Sequence, residues 1–493
     1  MRQLNGIDSQ FLSWETDETP EHVGALSIYD QTTAKNGKLR FKDILRLFET
    51  RLGRSRLFTD KIVRVPFDLD KAYWTEDPNF DLEYHVRHIA LPKPGDWRQL
   101  CIQVSRLHAQ HLDLKKPLWV AYVIGGLDGI KGIPKGSFAV YIKMHHAAVD
   151  GMAGHEVLAA IHDLQPVHPE GRYGSDLKKR DKIYPPTKTE MYGRAYWALL
   201  KRPFVLANAA NKAGPALLKS RSTRKQLKKL RADSKPHTRF DNTVSPYRVF
   251  SAMDFSLSEV QAIRKAVPGS TVNDVALTIV AQAVRAYLQE HGELPDKTLR
   301  TLIPVTLRSQ KEAGNGGNQI TSIDIPAFTT IADPVLCLTA IQGSTKEAKA
   351  FRQSAGDDAI VELMTRMPPD IQKLSSKLFS ISAGLGRSAV PANYAVSNVP
   401  GPPVPLYLAG AKCIQAYGVG ILQHGCGLFN IVGSYNGRFT LSFTACREQM
   451  PDPDVYHKCL EDAFAALSEA AQSSIAAKES GVVNLASRRQ PGA

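Results

Sequence analysis

The chain has 493 residues, 43 % hydrophobic and 22 % charged, with a net charge of +14. That length exceeds what a single core sustains, so two domains of roughly 200 residues each are expected. The ordinary balance of apolar and charged residues excludes a disordered or fibrous chain, and the six cysteines, scattered without CxxC or zinc-like spacing, suit free thiols in a reducing cytoplasm and no metal site.

The first ten residues lack the apolar core of a signal peptide. No stretch approaches the ~18 consecutive apolar residues of a membrane span, so a cytoplasmic protein, soluble or peripheral, is expected. Residues 1–175 read as a first unit, with strands over 25–29, 117–124 and 138–144 and helices over 41–52, 98–111 and 154–163. Residues 176–240 read as a connector, opened by Pro185-Pro186 and with Pro236 near its end. Between 176 and 235 lie 17 Lys or Arg against four Asp or Glu, a net +13 of the chain's +14. Interleaved Tyr192, Tyr196, Trp197, Leu199, Leu200, Phe204, Leu217 and Leu218 make this a membrane-surface element for anionic headgroups. A solvated linker fits the same charges, whereas no nucleic-acid motif accompanies them.

Residues 241–477 read as the second unit. A helix starts near Asn273 or Asp274 and runs to Leu288. Strands are expected over 299–307 and 320–328, and Asn436-Gly437 joins strands over 429–435 and 438–446 as a hairpin. A final helix covers 454–476, and the tail from 478 is expected to fray. Strands and helices mix in both halves, so the class is α/β or α+β.

The chemistry concentrates in residues 145–151, His-His-Ala-Ala-Val-Asp-Gly, directly after the apolar strand. Successive side chains on a strand point to opposite sides, so one histidine can face a cavity while the other packs inward. A neutral imidazole there can take a proton from an alcohol near pH 7. Competing routes lack their motifs: no GxSxG elbow, no recognisable cysteine nucleophile motif, no Walker A and no Rossmann fingerprint. His85 and His88 form an H-x-x-H pair without further ligands and read as structural.

HHxxxDG is the signature of the chloramphenicol-acetyltransferase-like superfamily, which includes peptide-synthetase condensation domains. Further strings narrow the resemblance: Ile7-Asp8, Phe11-Leu12, His22-Val23-Gly24, Pro117-Leu118-Trp119, Thr271-Val-Asn-Asp-Val275 and Ser397-Asn-Val-Pro-Gly-Pro402. In this order the chain, from about Leu4 to Ala476, resembles the bacterial wax ester synthase/diacylglycerol acyltransferase family. The resemblance implies an α/β fold of two similar domains with a tunnel between them. It implies direct transfer of a fatty acyl group from acyl-CoA, a substrate and not a cofactor, to a long-chain alcohol or diacylglycerol, without an acyl-enzyme. Peripheral contact with the inner membrane face or lipid inclusions follows from the basic connector.

By its match to the motif, His146 takes the role of general base, and His145 supports the backbone and the pocket. Asp150 resembles the orienting carboxylate of a triad, but in the family the equivalent acid holds the loop through an arginine, for which Arg308 is the candidate. Gly151 permits a tight turn. Asn273 is the candidate for stabilising the oxyanion, with helix capping by Asn273 or Asp274 as the other reading. Trp119 either lines the tunnel or starts a buried strand, and the structural reading is favoured. Ser397 and Asn398 sit by the acyl donor or at a rigid strand break. Amide formation on a carrier-protein thioester and a non-catalytic lipid-inclusion surface remain as alternatives.

Overall fold

The computed structural model describes residues 2–149, 157–166, 186–205, 207–208, 211, 235–306, 320–355, 367–384 and 390–479. Asp150, Gly151, Arg308 and most basic residues of the connector lie outside them.

The chain builds two six-stranded mixed sheets. In the first half the strands are β1 (Arg2–Gln3), β2 (His22–Asp30), β3 (Asp60–Val63), β4 (Tyr73–Glu76), β5 (Val86–Ala90), β6 (Trp119–Gly125) and β7 (Phe138–His145). The second half adds β8 (Arg248–Ser256), β9 (Arg300–Thr306), β10 (Ile320–Pro326), β11 (Tyr394–Pro400), β12 (Tyr407–Leu408), β13 (Ala411–Val419), β14 (Leu428–Tyr435) and β15 (Arg438–Cys446). The principal helices are α1 (Gly6–Trp14), α2 (Phe41–Arg51), α3 (Trp97–Ala109), α4 (Val272–Glu290), α5 (Pro334–Ala355), α6 (Pro369–Gly384) and α7 (Pro453–Glu479).

The first sheet has the order β12-β13-β2-β7-β6-β5 and the second β10-β9-β11-β14-β15-β8, while β1, β4 and β3 form a small third sheet. A clean division at residue 241 is therefore corrected: β12 and β13, from the second half, complete the sheet of the first. The exchange is locked by polar bonds. The Tyr435 hydroxyl donates to Cys413 O at 3.0 Å, and Ser442 Oγ donates to Gly418 O at 2.7 Å.

β7 is central in its sheet and buried on both faces. Phe138, Val140, Ile142 and Met144 face the core formed with α2, whereas Ala139 and Tyr141 face the core formed with α3. Gly24 on β2 is required here, since a Cβ would stand 2.6 Å from the Tyr141 ring. The Asn436-Gly437 turn, with φ of 45° and 80°, closes the β14–β15 hairpin as its sequence demands.

α4 is buried around most of its circumference because it packs against both α5 and α7. It begins at Val272, capped by Thr271, whose hydroxyl accepts from the Asp274 amide at 3.2 Å while the Asp274 carboxylate accepts from the Thr271 amide at 2.8 Å. Capping thus belongs to the Thr271–Asp274 pair, and Asn273 is left out of it. The strand containing Ser397 and Asn398 does not break there. β11 pairs with β14 through Pro400, and the break falls at Gly401-Pro402. The last helix runs to Glu479, and Lys478, where fraying was expected to start, is still helical and tied to Ala266 O at 2.7 Å; the rest of the tail lies outside the described residues.

Candidate active site

The antiparallel pairing of β2 with β7 sets His22 opposite His145 and ends the ladder there. The chain then turns. The His145 amide is held by Leu118 O at 3.0 Å and the His146 amide by Glu21 O at 2.8 Å. Each histidine is thus fixed by backbone from a different segment before its ring makes any contact.

The two rings separate as strand alternation requires. His145 is wholly buried, and its Nδ1 accepts from the Ala147 amide at 3.0 Å. That bond places the ring proton on Nε2, which faces the Glu15 carboxylate at 3.6 Å. His146 is half-buried, and its ring stacks on Phe11 of α1 with centroids 4.0 Å apart. Burial, reinforced by the neighbouring His145, pushes its pKa down to about 4, although a backbone hydrogen bond opposes the shift. At neutral pH His146 is therefore an uncharged imidazole with some solvent contact, the form a general base requires.

Glu15, just past the end of α1, is a residue the sequence reading missed. Burial raises a carboxylate's pKa, but here the hydrogen bond with His111 at 3.3 Å and the His145 imidazole 3.6 Å away outweigh it and hold Glu15 down at about 2. The carboxylate facing a motif histidine is thus supplied by α1, and it faces His145. No local pattern announces it: Glu15 is one acid among several near the N-terminus, and its partner lies 130 residues away.

Behind the strand, Lys143 is buried on the same face as His145. Its ammonium donates to Leu107 O at 2.8 Å and to Gln110 O, at the C-terminal end of α3 where carbonyls lack partners. Burial brings its pKa down to about 7. The Tyr141 hydroxyl donates to His108 Nδ1 at 2.7 Å, and His108 Nε2 donates to Gly420 O at 2.8 Å, linking α3 to the loop after β13. Burial lowers His108 to about 3 and His22 well below its usual range, so both are neutral structural groups.

The other candidates divide. Asn273, in the first turn of α4, and Asn398, on β11, meet through Asn398 Nδ2 donating to Asn273 Oδ1 at 3.4 Å. Ser397 beside them is half-buried. Of the two roles open to Trp119, the structure supports the favoured structural one over tunnel lining: it has no exposed surface, its Nε1 donates to Phe58 O at 3.1 Å, and it stacks on Phe48 and His85. His85 and His88 are likewise packing residues, His85 bonded to Trp119 O at 2.7 Å and His88 stacked on Phe41.

Two mixed sheets, one ending in paired histidines, define the chloramphenicol-acetyltransferase-like class of acyltransferase folds. Solved members of that class superpose along nearly the whole chain. The first condensation domain of the calcium-dependent antibiotic synthetase matches with a TM-score of 0.55 at 13 % identity, covering 96 % of each chain. The trichothecene 15-O-acetyltransferase of Fusarium sporotrichioides matches with a TM-score of 0.58 at 11 % identity, covering 94 % of this chain and 95 % of its own.

Within the class, residues 4–276 match the wax ester synthase/diacylglycerol acyltransferase catalytic domain and residues 316–468 the C-terminal domain of the same family. The chain belongs to the wax ester synthase/diacylglycerol acyltransferase family. It is 32 % identical to a putative diacylglycerol O-acyltransferase of Mycobacterium tuberculosis, over 91 % of this chain and 94 % of the relative. It is 30 % identical to the O-acyltransferase WSD of Acinetobacter baylyi, over 92 % and 93 %. The wax ester synthase/diacylglycerol acyltransferase of Marinobacter aquaeolei shares the fold with a TM-score of 0.68 at 24 % identity, covering 96 % of this chain and all of that one.

Proposed function

We propose that this protein is an O-acyltransferase that moves a long-chain fatty acyl group from acyl-CoA to a fatty alcohol or to diacylglycerol, with His146 as general base. The observation that carries the reading is the neutral, half-buried His146 ring at the end of β7, in a chain of this family. In the reaction the acceptor's O–H proton passes to His146 as its oxygen attacks the thioester carbonyl. The C–S bond then breaks, and the imidazolium returns the proton to the CoA thiolate. Charge gathers on the carbonyl oxygen meanwhile, and Asn273, steadied by Asn398, is the proposed donor to it. Asp150, paired with Arg308, is the proposed clamp on the loop after the histidines, with Gly151 allowing its turn. No cofactor enters this scheme.

The test follows CoA release from palmitoyl-CoA with hexadecanol, dipalmitoylglycerol or no acceptor. Acceptor-dependent release should fall by ~10² to 10⁴ in His146→Ala. Full activity in that variant refutes the assignment.

The work site proposed is an anionic membrane or lipid-inclusion surface. The described helix over 188–205 exposes Tyr196, Trp197, Leu200 and Phe204, the last at 77 %. Arg202 pairs with Asp370 at the start of α6, which exposes Leu374, Leu378 and Ile381. Apolar side chains on these two helices, with the connector's lysines and arginines, suit a lipid surface. No helix among the described residues is long and apolar enough to cross a membrane. Replacing Trp197 and Phe204 by Ser should reduce sedimentation with anionic vesicles at low salt, and unchanged sedimentation counts against the surface.

A further inference from the structure

The polarity of α6 is the reverse of what a helix facing water shows. It buries Gln372 and Ser376, 3 and 8 % exposed, while Leu374, Leu378 and Ile381 stand 58, 59 and 60 % exposed. The helix over 188–205 is built alike: it buries Met191 and Ala195 against Val65 and Tyr73 and turns Tyr196, Trp197, Leu200 and Phe204 outward. Between them the turn Pro66–Asp68 holds Phe67 83 % exposed at a φ of 60°, a conformation that costs a bulky residue energy. Asp68 pairs with Lys373 of α6, and Arg202 of the other helix pairs with Asp370, so the three elements adjoin.

Charge names what covers this face. Lys188, Lys201 and Lys377 are exposed beside the apolar side chains, and the connector with its net +13 runs into and out of the helix over 188–205. The acids here, Glu190, Asp370 and Asp68, are each paired with a cation. Apolar and aromatic side chains ringed by unpaired lysines fit an anionic lipid surface.

The inner side of α6 lies along α1 in a thin contact. Gln372 Nε2 donates to Gly6 O at 3.4 Å, and Ser13 Oγ donates to Gln372 Oε1 at 3.5 Å, both at the long limit for such bonds. Among the described side chains, none on α6 belongs to a hydrophobic cluster. One cleft beside the seam is lined by Trp14, Ser376 and Ser380, another by Ser9, Ser13 and Lys373. They hold about 20 and 10 Å³, room for a water molecule at most. A long-chain acceptor passes this seam only if α6 moves away. Across α1 from this seam is Phe11, on which the His146 ring stacks.

We propose that α6 is a lipid-operated lid: its apolar face enters an anionic lipid surface, its polar face leaves α1, and the acceptor passes from the lipid toward His146 through the parted seam. This rests on the acyl-transfer and surface readings above and adds how docking acts on the site. The reversed polarity suits both states. Serines and a glutamine lose little when water reaches them, and leucines and isoleucine gain when lipid covers them.

The test uses the full chain with vesicles of phosphatidylcholine and phosphatidylserine. Every described cysteine is buried, so Ser380→Cys takes a bimane label, which the Trp14 indole beside it quenches. Vesicles should raise bimane emission severalfold in that protein and leave it nearly level when Trp14→Phe is added. A second arm follows ester formation from palmitoyl-CoA and vesicle-borne hexadecanol, per vesicle-bound protein. In the combined variant Leu374→Ser, Leu378→Ser, Ile381→Ser it should fall about tenfold. These side chains face solvent, so the variant keeps its fold, which a melting temperature equal to that of wild type checks.

Bimane emission that does not change when the protein sediments with vesicles overturns the proposal. So does a serine variant that turns over as fast as wild type once bound. If wild type does not sediment with the vesicles, this inference and the surface reading fail together while acyl transfer stands. If wild type esterifies neither hexadecanol nor dipalmitoylglycerol, the acyl-transfer reading fails, and the bimane arm still decides whether α6 leaves α1.

Discussion

Stacking of Phe11 on His146 sets the pH at which the proposed base works. The ring centroids are 4.0 Å apart, and burial is the main cause that brings His146 from 6.5 to about 4. Phe11→Ala opens one face of the imidazole to water, which relieves that burial and returns the pKa toward 6 or above. The consequence is large at one pH and small at another. With a pKa near 4, about 90 % of the base is neutral at pH 5, and with a pKa near 6 only about 10 % is. Acyl transfer to hexadecanol at pH 5 should therefore drop about tenfold relative to its own plateau in Phe11→Ala and hardly at all in wild type. Above pH 7.5 both proteins are fully deprotonated at this site, so any remaining difference reports lost packing. The assay is a pH profile of kcat/KM from pH 4 to 8, with product ester measured in quenched samples. Coincident acid limbs in the two proteins refute the argument, as does a wild-type limb near 6.5.

Other perturbations probe the supports. Glu15→Gln removes the carboxylate that His145 and His111 share. A fall from 4.5 to about 2 corresponds to roughly 3 kcal/mol. Because His111 is 39 % exposed, solvent screening leaves about 1–2 kcal/mol, a melting temperature lower by a few degrees at pH 7. The folded pKa lies below the unfolded one, so this stabilisation is full above about pH 4.5 and is lost as pH falls toward 2. Melts at pH 7 and pH 3 should converge for wild type and variant, and a constant gap contradicts the assignment. Lys143→Met tests the ammonium at the end of α3. With a folded pKa near 7 against 10.5 unfolded, the unfolded chain binds more protons between those values. Wild type should gain stability relative to the variant as pH rises from 7 to 9, and parallel melting curves count against it.

What the sequence disclosed follows how local each signal is. The two histidines at a strand end, the Asn436-Gly437 hairpin and α2 were all legible, because their causes lie within a few residues: alternation, a turn requiring positive φ, and apolar residues at helical spacing. Glu15 was not, because its meaning comes from folding α1 back against β7. The meeting of Asn273 with Asn398 was not, because α4 and β11 are 125 residues apart in the chain. The pairing of β13 with β2 was hidden for the same reason. A half-buried strand pattern records that a partner exists but not which strand it is. Trp119 shows the opposite hazard: a tryptophan within a motif invites a substrate role, and its complete burial against Phe48, Phe58 and His85 removes it.

The exchanged strand also bears on how the site holds its shape. β13 pairs with β2 along Gly24 to Asp30, so the strand that reaches the two histidines is flanked on one side by β7 and on the other by second-half chain. The loop after β13 then supplies Gly420 O to His108 and Gln423 to Glu21. Arg248, at the head of β8, donates to Glu18 O at 2.6 Å and fixes the segment between α1 and β2 from the second sheet. Glu15, Glu18 and Glu21 all lie on or beside that segment. Each touches a different support: β7 and His111, β8, and the loop after β13. A shift of the two sheets relative to each other therefore moves Glu15 and Glu21 together with the backbone that holds His146. The backbone that holds the proposed base is consequently tied to both sheets, and removing the sheet-to-sheet bonds of Tyr435 or Ser442 should lower turnover with either acceptor.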